Sequence, residues 1–142
     1  MKTLRATFVF LMLLLVSCGG AAVRSAPPHD SGKSFADAVN SNDIEAAMAH
    51  WSEGAVLYIQ SGGSDAVAIS RAEIRANYER LFESSDAPKL EIRVDRIEQV
   101  GDSAHEWGSF KMGESVGCYV IFRRAIDDWK IYREWIVDPC GT

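Results

Sequence analysis

Residues 117–137 read GCYVIFRRAIDDWKIYREWIV. Two runs dense in β-branched and aromatic residues, GCYVIFRR and WKIYREWIV, flank the polar tetrapeptide AIDD, the sequence form of a long antiparallel hairpin. A hairpin alone is at best marginally stable in water, so the rest of the chain has to cover it. Strict alternation along the second run puts Trp129, Ile131, Arg133, Trp135 and Val137 on one face and Lys130, Tyr132, Glu134 and Ile136 on the other. By periodicity alone the tryptophan face is the core.

Upstream of the hairpin lies a second strand pair. Leu90, Ile92 and Val94 alternate with Glu91, Arg93 and Asp95, Gly101–Asp102 makes a turn, and Ser103–Met112 returns. The return strand offers Ala104, Glu106, Gly108 and Phe110 on one face and His105, Trp107, Ser109 and Lys111 on the other. His105 has no i+4 companion and no Cys or Asp cluster near it, so it reads as a rim histidine and no metal site is expected.

Ahead of the strands the period becomes helical. Phe35, Ala38 and Val39 start the first helix, interrupted at Asn40–Asn42. Asn42 and Glu45 suggest a capping box for a second helix whose stripe is Ile44, Ala47, Met48 and Trp51, with Gly54 ending it. On such a stripe Trp51 is core or ligand contact. Ala55–Gln60 is a short apolar strand and SGGSD a loop, without the spacing or lysine of a phosphate loop. Ser70 and Glu73 form a second capping box, opening a helix that carries Ile74, Tyr78, Leu81 and Phe82. Helices followed by antiparallel strands make an α+β domain, helices to one side of a strongly curved antiparallel sheet, with the cavity between them the default binding site.

The first residues differ in kind. Lys2 and Arg5 precede an apolar run from Ala6 to Val16 that is too short to span a bilayer. The run ends in Leu15-Val16-Ser17-Cys18, which resembles the bacterial lipobox, with a plain signal peptide or an uncleaved anchor as the alternatives. The expected layout is a lipoprotein signal peptide over residues 1–17, lipidated Cys18 and a flexible Gly/Pro-rich linker over 18–33, and one folded domain over 34–142. Gly19 after the cysteine points to the outer membrane of the cell envelope. Net charge is −5, from 15 basic and 20 acidic residues, and loss of Lys2 and Arg5 makes it −7. So acidic a surface, with no basic run, excludes nucleic acid as a partner.

The stretches NDIEAAMAHWSEGAVL, SRAEIRANY, VGDSAHEWGSF and CYVIFRRAIDDWKIYREW, in this order, resemble the nuclear transport factor 2-like superfamily, in its SnoaL-like branch. The resemblance covers most of residues 34–137 and implies a cone-shaped fold with a pocket at its centre. It also implies which residues reach that pocket: Phe35, Trp51, Tyr58, Ile59, Tyr78, Tyr132, Glu134 and Ile136. The same superfamily includes ketosteroid isomerases, whose chemistry needs a carboxylate base and an oxyanion hole made by a tyrosine and a protonated aspartic acid. Their pattern falls on Phe35 for the oxyanion tyrosine, on Ile59 or Tyr58 for the base, and near Val120 or Ile121 for the second aspartate. None is a carboxylate, and what survives is Tyr78 at a supporting tyrosine. The catalytic carboxylates of the ketosteroid isomerases are therefore absent, as is the Asp, Arg, Asp set of limonene epoxide hydrolase-like members.

Three functions remain in view. The first is binding of a small, largely apolar molecule without turnover or cofactor; the second is an isomerase, cyclase or hydrolase using Glu134 as acid or base; the third is a protein assembly module. Glu134 is either a carboxyl inside an apolar cup or one paired with Arg123, Arg124 or Arg133. A homodimer would cover the Trp129 and Trp135 face. Whether Cys118 and Cys140 are bridged stays open, because the tail beyond Pro139 must fold back to within about 7 Å between Cα atoms.

Overall fold

The structure is a computed structural model and describes residues 29–140. Three helices, α1 (Ser31–Asn40), α2 (Ile44–Ala49) and α3 (Arg71–Phe82), pack on one face of a six-stranded sheet. Its strands are β1 (Trp51–Ser61), β2 (Val67–Ser70), β3 (Leu90–Val100), β4 (Ser103–Met112), β5 (Ser115–Arg124) and β6 (Lys130–Asp138), in the order β2-β1-β6-β5-β4-β3. The expected α+β architecture is present, with one difference. Strand β1 runs parallel to β6, so the sheet is mixed rather than wholly antiparallel. The last hairpin cannot pair back on both of its sides, and its free edge takes the strand that follows the helical hairpin.

The helices form where the sequence patterns place them, with shifted ends. Helix α1 begins at Ser31, inside the stretch assigned to the linker, because Ser31 and Gly32 are themselves buried. Gly32 lies so close to β3 that a Cβ would stand 3.0 Å from Ile92 Cγ2. At the other end of α1 the Asn40 amide donates to the Leu90 carbonyl at 2.8 Å and its Oδ1 accepts from the Leu90 N–H at 2.7 Å, which fastens the start of β3. The cap of α2 is Asp43, whose side chain accepts from Ala46 N, while Asn42 takes a left-handed φ of 57°. The Ser70–Glu73 capping box of α3 is complete.

Trp51 belongs to β1, not to α2. Helix α2 stops at Ala49, Trp51 pairs with Ile131, and the register shifts between Trp51 and Val56, so Gly54 lies in an irregular strand instead of ending a helix. The apolar stripe read as helical was a helix running directly into a strand, both burying residues against the same core. Residues 67–70, beyond the expected loop, add the edge strand β2.

Within the hairpin a β-bulge breaks the strict alternation. Phe122 pairs with Arg133 but Arg123 pairs with Ile131, leaving Tyr132 as the extra residue on β6. Ile131 is consequently fully buried in the core, whereas Tyr132 turns to the outer face, with its ring 6.3 Å from Phe122 and Arg124 over it at 4.3 Å. Trp129, expected on a face that a second subunit would cover, is 4% exposed within the single chain and precedes the bulge in a left-handed conformation. Cys118 and Cys140 are bridged, with Cα atoms 5.1 Å apart, the tail turning back beyond β6.

Candidate functional site

The concave face of the sheet carries an unusual row. Reading across β1, β6, β5 and β4 in register, Leu57 stands beside Glu134, Glu134 beside Ile121, and Ile121 beside Glu106. Two carboxylates thus lie on the buried face, two strands apart, about 10 Å by the spacing of paired strands. Glu106 is 2% exposed and Glu134 6%.

Their surroundings differ. Glu106 is fully engaged: Tyr119 donates its hydroxyl to Oε1 at 2.9 Å, Ser31 donates to Oε2 at 3.0 Å, and Arg123 Nε lies 3.5 Å from Oε2. Arg123, 3% exposed, also donates from Nη1 to the Trp129 carbonyl at 3.1 Å. Burial pulls its pKa down, opposed by Glu106 and then by Glu134. The Tyr119 ring reaches Glu106 by crossing Gly108, its partner on β4, where a Cβ would stand 2.5 Å from the tyrosine oxygen and 2.2 Å from the Arg93 carbonyl. Only glycine admits this arrangement. Because a buried ion pair costs desolvation, the hydroxyl donors around Glu106 matter as much as the guanidinium.

Glu134 has none of that support. Arg123 forms its ion pair with Glu106, and the Glu134 carboxyl accepts no hydrogen bond among the described residues. Loss of hydration raises its pKa from 4.5 to about 8, against a lowering by Arg123 and with a smaller raising contribution from Glu106. The arginine-paired alternative is therefore not what the fold builds. Burial, with Glu134 second, pushes the Tyr78 hydroxyl well above its ordinary value. Tyr119 is raised in the same direction, chiefly by burial and by Glu106.

Glu134 opens onto a cavity of about 100 Å³ beneath α1 and α3, lined by Phe35, Tyr78, Leu90, Ile92, Phe110, Met112, Tyr119, Ile121, Glu134 and Ile136. Of the residues expected there, Phe35, Tyr78, Glu134 and Ile136 line it. The other four do not. Trp51 is core packing, edge-on to Phe35 at 6.3 Å, and Ile59 packs against the same core. Tyr58 points outward and stacks on Trp135 at 4.3 Å and 10°, and the bulge takes Tyr132 away. Behind the Glu106–Arg123 pair is a second, more polar recess of about 290 Å³, lined in part by Ser31, Ser34, His50, Arg123 and Lys130. Burial and then Arg123 lower the pKa of His50 there. The rim histidine His105 lies among aromatic rings on the outer face, 4.8 Å from Phe122 and 5.8 Å from Trp107.

Sequence reasoning missed Tyr119 and Glu106, and it offered Arg123 only as a partner of Glu134. One signal for Glu106 was present, a carboxylate on the Ala104, Gly108, Phe110 face of β4.

The family profile of the SnoaL-like domain matches residues 33–134. The chain belongs to the SnoaL-like domain family. Solved structures agree on the fold. This SnoaL-like chain is similar to an NTF-2 like protein of unknown function from Shewanella oneidensis MR-1, at TM-score 0.63 and 20% identity over 77% of this chain and 94% of that one. It is similar to an ntf2-like protein of unknown function from Shewanella baltica OS155, at TM-score 0.61 and 10% identity over 77% and 88%. A ketosteroid isomerase-like protein from Erwinia carotovora atroseptica SCRI1043 matches at TM-score 0.54 and 16% identity over 76% and 90%. At these identities the likeness concerns the fold, so the activity has to be argued from the site. No curated protein matches the SnoaL-like chain.

Proposed function

We propose that this SnoaL-like domain is a binding module, tethered to the cell envelope through lipidated Cys18, that takes a small, largely apolar molecule into the cavity above Glu134. The observation that carries the reading is the cavity itself, about 100 Å³ and lined mainly by apolar side chains. Apolar cavities of this order, about 150 Å³ in one engineered case, stay dry and accept a benzene-sized guest. The occupant is thus one small ring or a short branched chain. A steroid-sized ligand needs a pocket of roughly 300 Å³ or more.

Methyl NMR titration of the protein with cyclohexanol and methylcyclohexane tests the binding reading. Saturable shifts at Ile92, Ile121 and Ile136 support it. Absence of saturation at millimolar probe, or shifts confined to outer-face methyls such as Val56 and Val120, would overturn it. The tether rests on the leader and Cys18, both outside the described residues. Cys18→Ser should release the domain from the membrane fraction or leave an unprocessed precursor, and an unchanged membrane-bound mature form removes the lipid anchor.

A second reading, acid/base catalysis by Glu134, is favoured by one observation: a carboxyl with a pKa of about 8 facing a cavity shared with the Tyr78 hydroxyl. Native mass spectrometry of protein from its own host separates the two. A molecule carried unaltered by both wild type and Glu134→Gln supports binding. A molecule found converted on wild type and intact on the variant supports catalysis.

A further inference from the structure

The chemistry of the cavity narrows the ligand beyond its size. Four aromatic rings line it, Phe35, Tyr78, Phe110 and Tyr119, and Glu134 brings the one carboxyl in its lining. Glu134 is 6% exposed, and its carboxyl accepts no hydrogen bond among the described residues. The Arg123 guanidinium pairs with Glu106 at 3.5 Å and donates to the Trp129 carbonyl, and it makes no ion pair with Glu134 among the described residues. The buried face of the sheet therefore sets two carboxylates, Glu106 and Glu134, against the single guanidinium of Arg123. An ionised Glu134 leaves this group one negative charge in excess.

Aromatic rings present negative faces, and cations gain from standing against them, more so where water is excluded. An anionic ligand would meet those faces and Glu134 together, and a neutral one gains neither the attraction of a cation to the ring faces nor an ion pair with the carboxylate. We propose that the cavity receives a small organic ammonium ion, a protonated alkyl- or cycloalkylamine whose hydrocarbon body fills the apolar walls and whose N–H groups meet Glu134. The inference rests on the small-molecule reading above and specifies its ligand class. It also gives the empty site a defined resting state. Facing Glu134 are Tyr78 from α3, Tyr119 and Arg123 from β5, and Glu106 from β4, while α1 and β3 contribute only Phe35, Leu90 and Ile92 to the lining. In that setting Glu134 keeps its proton up to about pH 8, so no free negative charge sits in the unoccupied cavity. An arriving ammonium makes the ionised form the favoured one, and the proton leaves as the ligand binds.

Isosteric probes test this on the full chain: cyclohexylamine, cyclohexanol and methylcyclohexane, titrated into wild type and Glu134→Gln and followed by calorimetry and methyl NMR. The amine is expected to bind wild type at least about ten-fold more tightly than cyclohexanol, a preference the variant loses. Calorimetry of wild type at pH 7 in buffers of different ionisation enthalpy should report release of close to one proton per ligand, a readout that needs no variant. Equal binding of amine and alcohol, a preference retained in Glu134→Gln, or no proton release would each overturn the ammonium assignment while leaving the small-molecule reading intact. Failure of all three probes to bind would overturn both.

Discussion

Replacing Glu134 by glutamine keeps the shape of the side chain and removes its proton equilibrium. In the folded protein the carboxyl holds its proton to about pH 8, whereas in the unfolded chain it ionises near 4.5. Between those values folding takes up a proton, so the glutamate makes the wild type progressively less stable as pH rises, by about 1.4 kcal/mol per pH unit. From the unfolded value to pH 7 that amounts to roughly 3 kcal/mol, and above pH 8 it levels off at about 4–5 kcal/mol. The amide variant carries no such penalty. At pH 5, where the native carboxyl is neutral, the two proteins should agree to within about 1 kcal/mol. By pH 8 the variant should be the more stable by about 3–4 kcal/mol, on the order of 10 °C in Tm for a domain of this size. Urea unfolding followed by tryptophan fluorescence at pH 5, 6, 7 and 8 measures this difference directly. Groups common to both proteins cancel in it. A constant difference across the series would refute the protonated resting state. A loss of about 3–5 kcal/mol in the variant at neutral pH would show instead that Glu134 is ionised and paired with Arg123.

Three further outcomes are expected. Gly108→Ala would drive a methyl into the Arg93 carbonyl and the Tyr119 hydroxyl, and should cost about 3 kcal/mol in urea unfolding; a cost under about 1 kcal/mol would contradict the close crossing of β4 by Tyr119. Thiol counting on denatured, unreduced protein should find Cys118 and Cys140 unreactive, and Cys140→Ser should lower stability by about 3 kcal/mol for a bridge spanning 22 residues; two free thiols at these positions would dispose of the bridge. The outer sheet face exposes Trp135, at 36%, stacked on Tyr58 beside Phe122 and Tyr132, so self-association through it is expected, and Trp135→Lys should sediment as a monomer. A wild type that is itself monomeric at micromolar concentration would remove the homodimer.

The order of the helices and of every strand but β2, the two hairpins, the Ser70–Glu73 cap and the membership of the SnoaL-like family were legible in the sequence, because each is written within one segment or in the succession of segments. Period 3.6 and period 2 are local properties, and so is a capping box. What failed were inferences that carried a period across an interruption. The apolar stripe to Trp51 crossed from helix into strand without a break in hydrophobicity, and alternation along β6 was carried through a bulge that nothing in KIYREW announces. That single extra residue moved Ile131 into the core and Tyr132 out of the site. Glu134 and Ile136, beyond the bulge, keep their alternation and line the cavity. Only the tertiary structure could decide the partner of Arg123. Glu106 and Glu134 lie on different strands, both within reach of one guanidinium in principle, and the pairing depends on the path of Tyr119 over Gly108 and on Ser31 arriving from α1. These contacts join residues up to 75 positions apart. Their consequence, one carboxyl satisfied and the other left to the cavity, is a property of how the sheet is assembled and of no segment within it.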